Sequence, residues 1–297
     1  SLITAIHIPY TRNGIKMVTK EGGLAPSDVD EILADAETLE ESFVPGGKRE
    51  VIDFLPTYAA GIVDNVRRLT GEEKPLEGAK IVVDAGNGAG GYFADQVLAP
   101  LGADTTGSQF LEPDGHFPNH IPNPEEAEAI EAIEAAVRDN GADMGIIFDT
   151  DVDRSAIVDE KGHSINKSAF IAFIASQILE QFPGSTIVTD SVTSNGLTRF
   201  IEDRGGVHHR FKRGYKNVID EAKRINAEGG ESHLAMETSG HGAIQENYFL
   251  DDGSYLAMLS LVAFAKARKN GHTVSEFLKD YHYPAEELEV RYMIKED

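Results

Sequence analysis

An apolar run that ends in alternating carboxylates constrains this chain more than any other feature. Gly145-Ile146-Ile147-Phe148 leads into Asp149-Thr150-Asp151-Val152-Asp153-Arg154. Ser155-Ala156-Ile157-Val158 and the turn signal Asp159-Glu160-Lys161-Gly162 follow. Two β-type runs around a short polar segment predict a strand delivering acids to a loop. If the segment is extended, alternate side chains share one side, so Asp149, Asp151 and Asp153 converge. Converging negative charges repel unless a cation neutralises them. An all-oxygen donor set suits a hard ion, Mg²⁺ or Ca²⁺. Two other readings stand beside this one. Asp149, Asp151, Asp153 and Glu160 fall at positions 1, 3, 5 and 12 of a calcium-binding EF-hand loop. Arg154 occupies the position where that loop needs glycine, and the flanks are not helical. The plainer alternative is a solvated acidic turn.

Composition narrows the field. With 297 residues the chain is long enough for two or so domains, each with its own core. A balance of 27 basic and 50 acidic residues gives a net charge of −23, which opposes binding to nucleic acid and to anionic membranes. There are no cysteines, which rules out disulfides, thiolate metal sites and thiol nucleophiles. That absence fits a reducing, cytoplasmic setting. The longest apolar stretch, around Tyr255 to Ala265, is too short to span a bilayer. No signal peptide is visible.

Along the chain, residues 1–25 read as two short strands around a polar loop. Ser27 and Asp30 suggest a capping box for a helix through Leu39, and Arg49 to Leu69 reads as helical with Pro56 as a kink or break. A charged stretch from Gly71 to Gly78 reads as a linker. From residue 79 onward strands and helices alternate, with strands at 80–84, 143–148, 185–189, 207–211 and 233–236. Helices are expected at 125–139, 168–181, 194–203, 215–225 and 252–269, with a short one at 274–281. A glycine-rich turn at 85–91 is expected to open a further helix through Leu101. This alternation predicts an α/β fold of consecutive domains with mixed, mostly parallel sheets. The expected divisions are residues 1–70, 71–162, 163–283 and 284–297.

In such sheets ligands gather at the carboxyl ends of strands. Four loops qualify: Ala85–Gly91, Asp149–Arg154, Lys212–Lys216 and Glu237–His241. The glycine-rich loop lacks the spacing and the lysine of a phosphate loop, so a tight structural turn is the better reading. Lys212-Arg213-Gly214-Tyr215-Lys216 gathers cations suited to a phosphate, with Arg213 the candidate contact, or simply starts a solvated helix. Glu237, Ser239 and His241 offer an acceptor, a hydroxyl and an imidazole, a set suited to sugar hydroxyls. No nucleophile elbow accompanies that serine and histidine.

Together these stretches resemble the α-D-phosphohexomutase family of phosphomannomutases and phosphoglucomutases. Thr4-Ala5-Ile6-His7-Ile8-Pro9 through Lys16 is similar to the active-site segment. Asp84-Ala85-Gly86-Asn87-Gly88 with Pro113–Glu125 is similar to the second domain's signature. The three-aspartate loop, Glu237-Thr238-Ser239-Gly240-His241, and Asp252-Gly253-Ser254-Tyr255 match in order and spacing. The resemblance implies four domains of three-layer α/β type, of which this chain spans the tail of the first, the second, the third and the linker towards the fourth. It implies an isomerase that exchanges phosphate between the 1- and 6-positions of a hexose phosphate through a phosphoserine, with a hexose bisphosphate as activator. By position, Asp149, Asp151 and Asp153 would hold Mg²⁺. Lys16 would be the general acid/base and His7 would lie beside the phosphoryl group. Arg154 would support the phosphate or the loop, and Glu237, Ser239 and His241 would bind sugar hydroxyls. The family motif has serine where this chain has Ile6, which carries no oxygen to phosphorylate. That departure raises the alternative of a sugar-phosphate-binding relative impaired in catalysis.

Overall fold

The computed structural model describes residues 2–4, 11, 14–19, 22–39 and 46–286. Ile6 and His7 lie outside the described residues, so the expectations placed on them are not addressed by the fold. Strand β1 (Leu2–Thr4) pairs antiparallel with β2 (Gly14–Lys16), which places Lys16 at the end of a hairpin. A second short antiparallel pair joins β3 (Val18–Thr19) to β4 (Gly22–Gly23). Helix α1 (Pro26–Thr38) starts earlier than the Ser27/Asp30 signal suggested. Pro26 presets the first turn, and the Asp28 carboxylate accepts the Ala25 N–H at 2.8 Å. Helix α2 (Leu55–Thr70) also departs from expectation. It begins only at Leu55, so Pro56 opens it rather than kinking it, because a first-turn residue needs no N–H partner.

The first α/β unit is a mixed four-stranded sheet in the order β5 (Ile81–Asp84), β6 (Met144–Phe148), β7 (Ser155–Val158), β8 (Ser164–Ile165). β5 and β6 run parallel, whereas β6–β7 and β7–β8 are antiparallel. β6 is buried on both faces. Ile146 and Phe148 join the main core, while Ile147 packs with Ile133 and Val137 of α3 (Ala127–Asn140). Alternation along the strand thus feeds two apolar layers, the condition for helices on both sides.

The glycine-rich turn does not open a regular helix. It passes through a 3₁₀ turn at Ala89–Gly91, a wide π-helical turn at Phe93–Leu98 and another 3₁₀ turn at Ala99–Leu101. Pro100 lacks the N–H that would continue an α-helical ladder. Gly88 packs against the aspartate-loop backbone, where an added Cβ would lie 2.8 Å from the Thr150 carbonyl oxygen. The turn is therefore a packing device, as the sequence suggested.

The proline-rich loop after it is pinned by His120. Its Nε2 lies 3.0 Å from Asp84 Oδ1 and its Nδ1 lies 3.0 Å from the Ile121 carbonyl oxygen. Both ring nitrogens face acceptors, so the imidazolium form makes both bonds. Burial lowers the His120 pKa, but the bond to Asp84 and its charge outweigh this and the net shift is upward. A raised folded-state value means stability is fully present below the unfolded value near 6.5 and is lost as pH rises through the folded value. The stability gap between wild type and His120→Asn is therefore expected to narrow from about pH 6 to about pH 9 in denaturant titrations. A gap that is constant or widens with pH would contradict the charged clamp.

The second unit has the sheet order β10 (Val207–Phe211), β9 (Thr186–Asp190), β11 (Leu234–Met236), β12 (Gly242–Ile244). β9 is parallel to both neighbours, and β12 returns antiparallel to β11. Helix α6 (Tyr215–Ala227) covers one face through Val218, Ile219 and Ala222. Helices α4 (Lys167–Gln181) and α7 (Gly253–Lys269) lie in the main core, and α5 (Asn195–Glu202) packs beside them. α7 is apolar nearly all round because it is enclosed by both units: it packs on α2 and β7 of the first and on α4 of the second. The short segment expected at 274–281 is a 3₁₀ turn over Val274–Leu278. Among the described residues no helix is long and apolar enough to cross a membrane.

Candidate active site

The aspartates are delivered by a hairpin turn, not by an extended segment. Phe148 pairs with Ser155, so Asp149–Arg154 is the whole connection between β6 and β7. Val152 sits at φ +66, a left-handed conformation unusual for a β-branched residue. One oxygen from each of Asp149, Asp151 and Asp153 lies within 4.8 Å of the others. The convergence expected from alternation is real, but turn geometry produces it. The EF-hand alternative does not survive: strands flank the loop, and Glu160 is turned away to accept bonds from Ser275 Oγ at 2.6 Å and Ser275 N–H at 3.2 Å.

Electrostatics mark the trio as short of positive charge. Burial and repulsion from Asp153 and Asp151 push the Asp149 carboxyl well above its usual range, against the pull of Arg154. Asp153 is raised by burial but held below its usual range overall by His241 and Lys16. Lys16 Nζ reaches Asp153 Oδ2 at 2.7 Å and Asp151 Oδ2 at 3.1 Å. Burial alone would lower the Lys16 pKa; these carboxylates raise it on balance. Three hard oxygen donors within 4.8 Å of one another, their repulsion only partly offset by Lys16, Arg154 and His241, fit a divalent cation.

Arg154 is buried beneath this turn. Its Nε donates to Asp149 Oδ2 at 3.0 Å, its backbone N–H to Asp149 Oδ1 at 3.1 Å and its Nη1 to Asn123 Oδ1 at 3.1 Å. Glu125 Oε2 lies 3.7 Å from Nη1. Of the two roles expected for Arg154, this position matches support of the loop, since the guanidinium is committed to protein partners.

The four loops singled out in the sequence form one continuous rim. Ala89 N–H donates to the Thr150 carbonyl at 2.8 Å, which ties the glycine-rich turn to the aspartate loop. Arg154 and His241 form an antiparallel backbone bridge, which ties the aspartate loop to 237–241. Glu237 accepts the Gly214 N–H, which ties in the basic turn. The 237–241 segment is itself a tight turn, not extended: Gly240 N–H bonds the Glu237 carbonyl at 3.1 Å and Glu237 N–H bonds the His241 carbonyl at 2.9 Å. Ser239 Oγ approaches Glu237 Oε2 at 3.5 Å. Burial raises the Glu237 pKa despite the Gly214 bond and the nearby charge of Arg213. Arg213 is exposed. His241 Nδ1 bonds Asp251 Oδ2 at 2.6 Å and lies 3.8 Å from Asp153 Oδ1.

Sequence reading missed several supports of this rim. Asn123 and Glu125 hold Arg154. Asp190, at the end of β9, accepts Thr238 Oγ1 at 2.8 Å. Gly253 N–H donates to the Val152 carbonyl at 3.0 Å, and Tyr58 Oη bonds both oxygens of Asp252 at 2.7 and 2.8 Å. Asn123 and Glu125 lie in the Pro113–Glu125 stretch and Asp252-Gly253 in another stretch that carries the resemblance, whereas Tyr58 and Asp190 gave no signal of this role.

Two α/β units meeting at an acid-lined rim are the architecture that the resemblance to α-D-phosphohexomutases implied. Family models agree. Residues 56–162 match "phosphoglucomutase/phosphomannomutase, alpha/beta/alpha domain II" and residues 166–283 match domain III of the same family. The chain belongs to the phosphoglucomutase/phosphomannomutase family. A phosphomannomutase/phosphoglucomutase of Pseudomonas putida is 31% identical over 291 residues, covering 97% of this chain and 60% of the relative. A crystal structure of a family protein from Burkholderia thailandensis superposes with a TM-score of 0.78 at 28% identity, covering 95% of this chain and 58% of that one. An N-acetylphosphoglucosamine mutase from Aspergillus fumigatus, solved in complex with GlcNAc-6P and magnesium, shares the fold at 16% identity, covering 94% of this chain and 72% of that one, with a TM-score of 0.64. This chain therefore spans about 60% of the length of the curated relative from Pseudomonas.

Proposed function

We propose that this chain carries the metal and sugar-recognition machinery of a mutase that moves a phosphoryl group between the 1- and 6-positions of glucose or mannose phosphate. One observation carries the reading: the Arg154–His241 bridge sets the aspartate loop against the Glu-x-Ser-Gly-His turn. A phosphate near the first would have its sugar hydroxyls near the second. In this reading the residues before α2 belong to a first domain, α2 through residue 162 and residues 163–283 form the second and third, and 284–297 lead towards a fourth. A second domain that starts at α2 and not at residue 71 is supported by the match over 56–162 and by the packing of α2 on the Phe93–Leu98 turn. The relative from Aspergillus supports magnesium and a hexosamine phosphate as the ligand classes.

Asp149, Asp151 and Asp153 would hold Mg²⁺, which when bound would offset charge on a transferring phosphoryl group. Arg154 keeps the Asp149 carboxylate in place. Lys16 is the candidate to exchange a proton with the sugar hydroxyl, and its bonds to Asp151 and Asp153 hold its ammonium at the aspartate loop. His7 would lie beside the phosphoryl group. Glu237 and Ser239 accept and donate hydrogen bonds to hydroxyls, His241 orients the ring, and Arg213 supplies positive charge for the distal phosphate.

A second reading is favoured by Ile6, since isoleucine cannot take a phosphate. On that reading the chain binds hexose phosphate without transferring phosphate. An assay with glucose 1-phosphate or mannose 1-phosphate, Mg²⁺ and a hexose bisphosphate separates the two. Turnover by the wild-type chain refutes the binding-only reading. Metal-dependent binding without turnover, with turnover gained in Ile6→Ser, supports it. Neither binding nor turnover in both proteins overturns the sugar-phosphate assignment.

A further inference from the structure

We propose that Asp251 is a positioning residue for His241, holding the imidazole by Nδ1 and leaving Nε2 as the ring nitrogen for the sugar phosphate. This rests on the reading that the 237–241 turn receives a hexose phosphate. Asp251 grips that turn at two successive residues. Its Oδ2 lies 2.6 Å from His241 Nδ1, and its Oδ1 accepts the Gly242 N–H at 3.1 Å. Its own backbone is fixed by an antiparallel bridge to Ala243. The next residue, Asp252, caps α7 through the Tyr255 N–H at 3.0 Å and is held by Tyr58 from the first unit. On its face, the His241 ring is stacked by Tyr215 at 5.1 Å between centroids and 26° between planes. The rival partner for Nδ1, Asp153 Oδ1, is 3.8 Å away, beyond hydrogen-bonding range. A carboxylate that binds one imidazole nitrogen selects which nitrogen keeps its proton and where the ring points.

The competing role is a simple staple that joins β12 to the start of α7. Asp251→Asn separates the two. The amide oxygen still accepts the Gly242 N–H, so packing is kept, while the amide NH₂ faces Nδ1 and forces the proton to Nε2. In the full chain with Mg²⁺, affinity for glucose 1-phosphate is expected to fall about tenfold in Asp251→Asn, the lower end of what such partners carry. In a His241→Ala background the same substitution should cost nothing further. A downfield, slowly exchanging imidazole proton in the wild-type NMR spectrum should vanish in both single variants. Additive losses, or a downfield proton that persists in Asp251→Asn, would overturn the proposal, as would its absence from the wild type. A wild-type chain that fails to bind any hexose phosphate sinks the functional reading instead, and the proton still decides whether Asp251 holds the ring.

Discussion

Alanine at Gly253 is expected to destabilise the protein and to weaken divalent-metal binding together. A Cβ built there lies 2.6 Å from both the carbonyl carbon and oxygen of Arg154 and 2.8 Å from its nitrogen. All three are backbone atoms inside a buried turn and have nowhere to move. Overpacking of this kind costs about 1–3 kcal/mol. Relief requires α7 to back away from the turn. That stretches the bond from Gly253 N–H to Val152 and disturbs the Arg154–His241 bridge beside it. The melting temperature should drop by several degrees, and Mg²⁺ affinity should fall with it. Gly61→Ala is the matched control. Gly61 lies in the exposed middle of α2 with no atom within 4 Å of a built Cβ, so alanine there should stabilise by about 0.5–1 kcal/mol. If Gly253→Ala melts like wild type and binds Mg²⁺ equally well, the two loops are not latched as described.

Removing the Asp151 carboxylate is expected to abolish the response to Mg²⁺ while leaving the metal-free fold intact. Asp151 is one of three groups whose mutual repulsion helps push Asp149 upward. Asp151→Ala therefore relieves strain in the metal-free protein, and its melting temperature should equal or exceed that of wild type. A ligand that binds only the folded state stabilises it by about 2.7 kcal/mol at a hundred times its Kd. Wild type should show that gain as Mg²⁺ is raised, and Asp151→Ala should not. Affinity should drop by more than about a hundredfold, beyond the losses seen when only an outer partner is removed. Lys16 remains on Asp153 at 2.7 Å in such a variant and accounts for part of the retained stability. Unchanged Mg²⁺ affinity in Asp151→Ala, or a wild type blind to Mg²⁺, would dismiss the loop as a metal site.

Much of this architecture was legible because it depends on local pattern. The strands at 144–148 and 207–211 and the helices at 167–181 and 253–269 stand where alternation and apolar runs put them. Errors fell where the rule is not local. Helix α2 starts later than the sequence predicts, because nothing in residues 49–54 signals that Val51, Ile52 and Phe54 find no core. The single helix expected after the glycine-rich turn is instead a π-helical turn between two 3₁₀ turns, with Pro100 in the last of them. For Lys16 the sequence offers only the acid/base role that the resemblance implies, and not its neighbours. Its direct bonds to Asp151 and Asp153 depend on a contact across 135 residues, which no window could reveal.

The family and the α/β class were legible in the sequence alone, because several stretches match in order and spacing, and the three aspartates stood out there as candidate ligands by their alternation. The aspartate trio and the Glu-x-Ser-Gly-His string were each visible in isolation. Only the folded chain decided that they touch. Backbone groups of Arg154, His241, Val152 and Gly253 make that junction, and a backbone hydrogen bond leaves almost no mark on residue identity. The exception is Gly253, where close approach of two backbones excludes every side chain larger than hydrogen.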